Sequence, residues 1–197
     1  MSTPGQEPSS ELLRALERLV GVLNERNTNY ALIGALGVAV RGPVRATRDI
    51  DMILSVPQIE LPRLLESVAE HGFRVDLYDS IRMWNESHLL EFASGPVRVD
   101  WIKAVLPAFQ HILQRARWED VGGARIRIAD AEGLLLLKLI AFRPRDQEDM
   151  RGILAANPGS LDLDWVRGEW RELTTDDDPR TDAFEQMVRK FYDDRCN

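Results

Sequence analysis

Cysteine is nearly missing from this chain. The single Cys196 excludes an internal disulfide framework and a cysteine zinc cluster. Histidine is also scarce: His71, His88 and His111 lie far apart and show no metal-ligand spacing. No long apolar run is present. The leucine run Gly133 to Leu137 ends at Lys138 and the longer Tyr30 to Val40 ends at Arg41, both far short of the ~20 apolar residues a membrane-crossing helix needs. The opening MSTPGQEPSSE has neither the basic region nor the apolar core of a secretory signal, so a cytoplasmic protein with no membrane partner is expected. Excess positive charge is lacking too. The net charge of −7 weighs against binding nucleic acid over a broad surface. Arginines still gather locally, as Arg41, Arg45 and Arg48 and as Arg143, Arg145 and Arg151, and a local basic pocket can hold a small anion in an acidic protein.

What is present suits a globular α/β chain. At 197 residues one domain, or one with a helical extension, is expected, burying roughly 70% of its unfolded surface. Residues 1–9, rich in Pro, Ser and Gly, are expected to be disordered. Helical spacing of Leu12, Leu16, Leu19, Val20 and Leu23 predicts a helix over 11–26. Strands are expected at 30–33, 49–54, 73–78, 88–92, 97–102 and 125–128, and helices at 35–40, 61–70 and 106–117. Ala93-Ser94-Gly95-Pro96 reads as a hairpin turn. From residue 131 onward the pattern is helical: 131–142, 146–156, 163–173 and 180–192. The organisation is thus a mixed-sheet α/β (α+β) core over 10–128 and a helical region over 129–197 packed on it. Asp176-Asp177-Asp178 reads as a solvated loop that also caps the last helix.

The stretch RATRDIDMIL, 45–54, carries the chemistry. In a strand, Asp49 and Asp51 share one face while Ile50, Met52 and Leu54 take the other. Two carboxylates so placed repel, more so when buried. Arginines or water can offset this, or a divalent cation can, since carboxylate oxygens are hard ligands suited to magnesium. Upstream, the apolar run Tyr30 to Ile33 enters Gly34 and a helix. A helix start offers free N–H groups and a positive dipole end to phosphate, although the same glycine also fits a simple tight turn. Asp100 sits in a third apolar strand, either converging on the pair or salt-bridged to Arg98. Lys138 interrupts a leucine-rich helix, and Asp146 and Asp149 can cap the helix that follows. The tryptophans read as core or interface residues, with Trp84 or Trp101 as possible walls of an acceptor site.

These residues resemble the nucleotidyltransferase superfamily of the polymerase-beta type: Gly34-Ala35 at a helix start, Arg45-x-Thr47-x-Asp49-Ile50-Asp51, then Asp100 in a later strand. The helical part is similar to AbiEii/AbiGii-type toxins through Lys138-x-x-Ala141 and Arg143-Pro144-Arg145-Asp146-x-x-Asp149. The resemblance spans about 30–155. It implies a nucleotidyltransferase fold and magnesium-dependent transfer of a nucleoside monophosphate from a nucleoside triphosphate to an RNA end (a tRNA, for instance) or a protein side chain, with a cognate antitoxin as a partner. It implies Asp49, Asp51 and Asp100 as metal ligands, with Asp100 completing the metal site or acting as base. Gly34 and Ala35 would hold the triphosphate, Arg45 and Thr47 would line the nucleotide pocket, Lys138 would reach a phosphate, and Asp146 would fix the Lys138 region. The acidic balance instead suits a cationic small-molecule acceptor of aminoglycoside type. Alanine at 35, where the family has glycine or serine, removes a possible hydroxyl contact and leaves open a catalytically weak nucleotide- or partner-binding module.

Overall fold

The computed structural model describes residues 10–42, 46–175 and 177–192. The expected disordered segment 1–9, and Arg45, Asp176 and Cys196, lie outside the described residues. In chain order the elements are α1 (Ser10–Glu25), β1 (Asn29–Leu32), α2 (Gly34–Arg41), β2 (Asp49–Ser55), α3 (Leu61–Glu70), α4 (Leu77–Glu86), β3 (Leu89–Ser94), β4 (Val97–Lys103), α5 (Pro107–Arg115), β5 (Arg117–Val121), β6 (Ala124–Ile128), α6 (Ala131–Ala141), α7 (Pro144–Ala156), α8 (Leu163–Arg171) and α9 (Pro179–Phe191). None of these helices is long and apolar enough to cross a membrane.

One six-stranded mixed sheet, ordered β3-β4-β2-β1-β6-β5, forms the middle layer. β2 pairs parallel with β4 and antiparallel with β1, and β6 returns parallel to β1. Strand alternation then sorts the side chains. Ile50, Met52, Leu54, Val99, Trp101, Leu90 and Phe92 face α1, α3 and α4 in one core. Ala31, Ile33 and Ile53 face α5 to α9 in a second. The fold is therefore an α/β sandwich with helices on both faces. The covering of the second face is incomplete: toward β3, Leu89 and Glu91 stay exposed.

Two expected elements are corrected. Over 73–78 only Arg74 makes an isolated bridge, to Ala93. The chain turns there into α4, because the Asp76 carboxylate accepts the Asp79 N–H at 2.9 Å and starts a helix. That helix buries Trp84 and Ser80. The helix expected to run through Arg117 stops at Arg115, and Arg117 opens the edge strand β5. Trp84 and Trp101 are fully buried core residues, so neither walls an acceptor site.

Candidate active site

The open part of the second sheet face is the floor of a cleft of about 770 Å³. Its chemistry follows from register. Asp51 lies opposite Asp100 and Asp49 opposite Arg98 in the parallel β2/β4 pair. Asp100 in turn lies opposite Glu91, and Arg98 opposite Ala93, in the antiparallel β3/β4 pair. Directly opposed residues share a face. A row of carboxylates, Asp51–Asp100–Glu91, therefore crosses three strands, with Asp49 and Arg98 in the adjacent row.

Among the described residues the row is short of positive charge. Burial first, then the charges of Asp100 and Asp49, push Asp51 up to about 6, against the lowering influence of Lys138 and Arg143. Asp100 is also raised, by burial, while Arg98 pulls it down and Glu91 and Asp49 push it up. Arg98 compensates part of this locally: its guanidinium sits 3.3 Å from Asp49 Oδ1 and 3.4 Å from Asp100 Oδ2. Both readings of Asp100 thus hold, since it converges on the pair and is paired with Arg98. Its other oxygen, Oδ1, is buried without a hydrogen-bond partner, an arrangement that is costly unless a ligand meets it.

The strand–glycine–helix junction abuts this row. Gly34 has φ +61°, and a Cβ there would stand 1.9 Å from Asp51 Oδ2. The glycine is thus required both by its left-handed backbone and by the close approach of Asp51. The first turn of α2 begins at this point, and Gly34 and Ala35 line the cleft. Their N–H groups belong to the helix start, where intrahelical partners are lacking. Thr47 also lines the cleft, and its Oγ1 accepts the Asp49 N–H at 3.2 Å, fixing the entry into β2.

The far wall comes from α6 and α7. Lys138 Nζ lies 2.9 Å from Asp146 Oδ1 and 2.7 Å from Asp149 Oδ2, with side chains only 7%, 2% and 3% exposed. The other oxygen of Asp146 accepts from Arg143 Nε at 2.7 Å and from the Arg143 backbone N–H at 3.1 Å, capping α7. Burial opposes ionisation of Asp146, but the bonds from Arg143 and Lys138 outweigh it and hold its carboxyl below the usual range. Lys138 is thus a buried paired cation, not a lysine at the helix edge.

Every described residue of the predicted set lines this one cleft: Gly34, Ala35, Thr47, Asp49, Asp51, Asp100, Lys138 and Asp146. Arg98, Arg143 and Glu91 were absent from that set. The reach of Arg98 to Asp49 and the place of Glu91 opposite Asp100 come from strand register, which a single chain does not reveal. Arg143 had a signal, since it precedes Pro144 and Asp146 in a helix-start pattern.

The carboxylates suit a divalent cation in charge and donor type. The orphaned Asp100 oxygen and the mutual repulsion at Asp51 are both relieved by a positive ion. Among the described residues no three His, Cys, Asp or Glu side chains close around one point. A cation held here would need oxygens from water or phosphate besides those of the chain.

The fold is similar to solved nucleotidyltransferases. The solution structure of the antibiotic-resistance factor ANT(2″)-Ia matches with TM-score 0.60 at 15% identity, over 92% of this chain and 98% of that one. The same factor in complex with adenylyl-2″-tobramycin matches with TM-score 0.52 at 14% identity, over 96% and 100%. The lincomycin-bound lincosamide antibiotic adenylyltransferase LnuA matches with TM-score 0.52 at 13% identity, over 75% and 98%. No curated protein sequence matches the chain. A family model, however, covers residues 12–178, and with it the whole carboxylate row, the glycine junction and the Lys138 wall: the chain belongs to the family described as nucleotidyl transferase of unknown function (DUF2204).

Proposed function

We propose that this protein transfers a nucleoside monophosphate from a magnesium–nucleoside triphosphate to a hydroxyl of a cationic small molecule. The observation that carries the transfer is the undercompensated row Asp51–Asp100 beside the Gly34 helix start. Asp49, Asp51 and Asp100 would hold magnesium, which when bound neutralises charge on the phosphates and on the leaving pyrophosphate. Gly34 and Ala35 receive phosphate oxygens on backbone N–H groups. Asp100 completes the metal site or, with the ion held by Asp49 and Asp51, takes the proton of the acceptor hydroxyl. The acceptor oxygen bonds to the α-phosphorus, the bond from that phosphorus to the bridging oxygen breaks, and pyrophosphate leaves.

The acceptor reading rests on charge. Net charge is −7. A cationic small molecule suits an acidic surface better than RNA does, and the structural neighbours named above include antibiotic-modifying enzymes. The second reading, an RNA or protein acceptor in a toxin with a cognate antitoxin, is favoured by the Lys138-x-x-Ala141 and Arg143-x-Arg145-Asp146 pattern. Incubation with magnesium and α-labelled nucleoside triphosphates separates them, offering aminoglycosides, lincosamides, total RNA and extract protein in turn. Label on a small molecule supports the first reading, and label on RNA or protein the second. No label on any acceptor, with the Asp49→Asn/Asp51→Asn chain behaving identically, would sink nucleotidyl transfer altogether.

A further inference from the structure

The resemblance gives the phosphate contact to Lys138, but the geometry points elsewhere. Lys138 is 7% exposed and engages Asp146 and Asp149 at 2.9 and 2.7 Å. Two carboxylates on one ammonium leave little positive potential for a third anion. Arg143 is the reverse case. Its Nε is anchored to Asp146 at 2.7 Å, yet its side chain is 74% exposed and lines the cleft that holds Gly34 and Asp51. Its positive charge acts on Asp51, as that of Lys138 does more strongly, but it is the exposed side chain of the two. A guanidinium offers five donors, and Asp146 uses only one side of the fork.

On the nucleotidyltransferase reading above, we infer that Arg143 binds the polyphosphate tail of the nucleoside triphosphate, and that Asp146 and Lys138 are positioning residues acting through it. The arrangement is a relay of fixed charges. Lys138 on α6 holds Asp146 at the start of α7, and Asp146 holds the guanidinium over the cleft. Preorganisation of this kind raises affinity by removing the entropy a free arginine side chain would lose on binding. It also explains why the pattern needs Asp146 three residues after Arg143: that spacing lets one carboxylate cap the helix and grip the side chain together.

Calorimetric titration with ATP and, separately, AMP tests this, with calcium as the divalent ion. Arg143→Ala should weaken ATP about 10- to 100-fold, leave AMP within about twofold, and leave the melting temperature unchanged. Asp146→Asn should weaken ATP by a smaller factor. In the double variant it should add nothing beyond Arg143→Ala, because its effect passes through the arginine. A purely structural role for Asp146 predicts additive losses instead, and that result overturns the positioning assignment. Wild-type ATP binding with unaltered affinity in Arg143→Ala overturns the arginine assignment alone. Absence of ATP binding in the wild-type chain overturns this inference and the nucleotidyltransferase reading together.

Discussion

Two aspartate clusters face one another across the cleft, and they are built on opposite terms. Asp146 and Asp149 meet a lysine of their own chain and an arginine, and Asp146 is held below the ordinary carboxyl range. Among the described residues, Asp49 and Asp100 share the exposed Arg98, and Asp51 is pushed up to about 6 despite the charges of Lys138 and Arg143. The first cluster is balanced by counter-charge from its own chain and holds α6, α7 and Arg143 in place. The second is incomplete and holds its charge at a cost that a cation removes. Aspartate content alone does not separate a scaffold from a reactive site; the local balance of counter-charge does.

The largest effect should come from breaking the satisfied cluster. Lys138→Ala removes the ammonium shared by two buried carboxylates, leaving Asp146 to Arg143, and should cost about 3–5 kcal/mol, seen in thermal melts as a fall of roughly 10 °C. The unsatisfied cluster should respond with the opposite sign. Asp51 has a folded pKa above its ordinary value of 3.8, so the folded state binds its proton more tightly than the unfolded state. Its contribution is favourable at low pH and is lost as pH rises from about 4 to about 6. In a chelator, Asp51→Asn should therefore stabilise the protein by about 2–3 kcal/mol near pH 8 and by almost nothing near pH 4, while abolishing transfer. Denaturant titrations at the two pH values measure this.

Gly34→Ala joins backbone to cluster. The new methyl meets Asp51 Oδ2 and the backbone stays at positive φ, so a loss of about 1–3 kcal/mol is expected, together with weaker nucleotide binding by calorimetry. Arg98→Ala is the mildest change. Stability should move by less than about 1 kcal/mol. Magnesium affinity should rise up to about fivefold, because a competing charge has gone.

The parts of this comparison were unevenly legible in the sequence. Asp49, Asp51 and Gly34 were readable because period-two alternation and a glycine at a helix start are local signals. Lys138 stood out as a charge in a leucine run, but its bond to Asp149 joins two helices. The pairing of Arg98 with Asp100 was readable from their i, i+2 spacing, but its reach to Asp49 and the place of Glu91 opposite Asp100 depend on how β2, β4 and β3 align, which single-chain periodicity does not encode. β5, with the sequence RWEDV, was missed because an exposed edge strand has no apolar alternation. α4 was mistaken for a strand at its start because Phe73, Val75 and Leu77 alternate, and the capping carboxylate of Asp76 prevailed.

Repulsion among Asp49, Asp51 and Asp100 is what a bound divalent cation would relieve. The most direct measurement is the melting temperature with magnesium and with chelator, for the wild-type and Asp49→Asn/Asp51→Asn chains. The account predicts that magnesium raises the wild-type value. The variant should already melt higher in chelator and should not respond to the metal. A wild-type chain indifferent to magnesium, or a variant that responds equally, would contradict it.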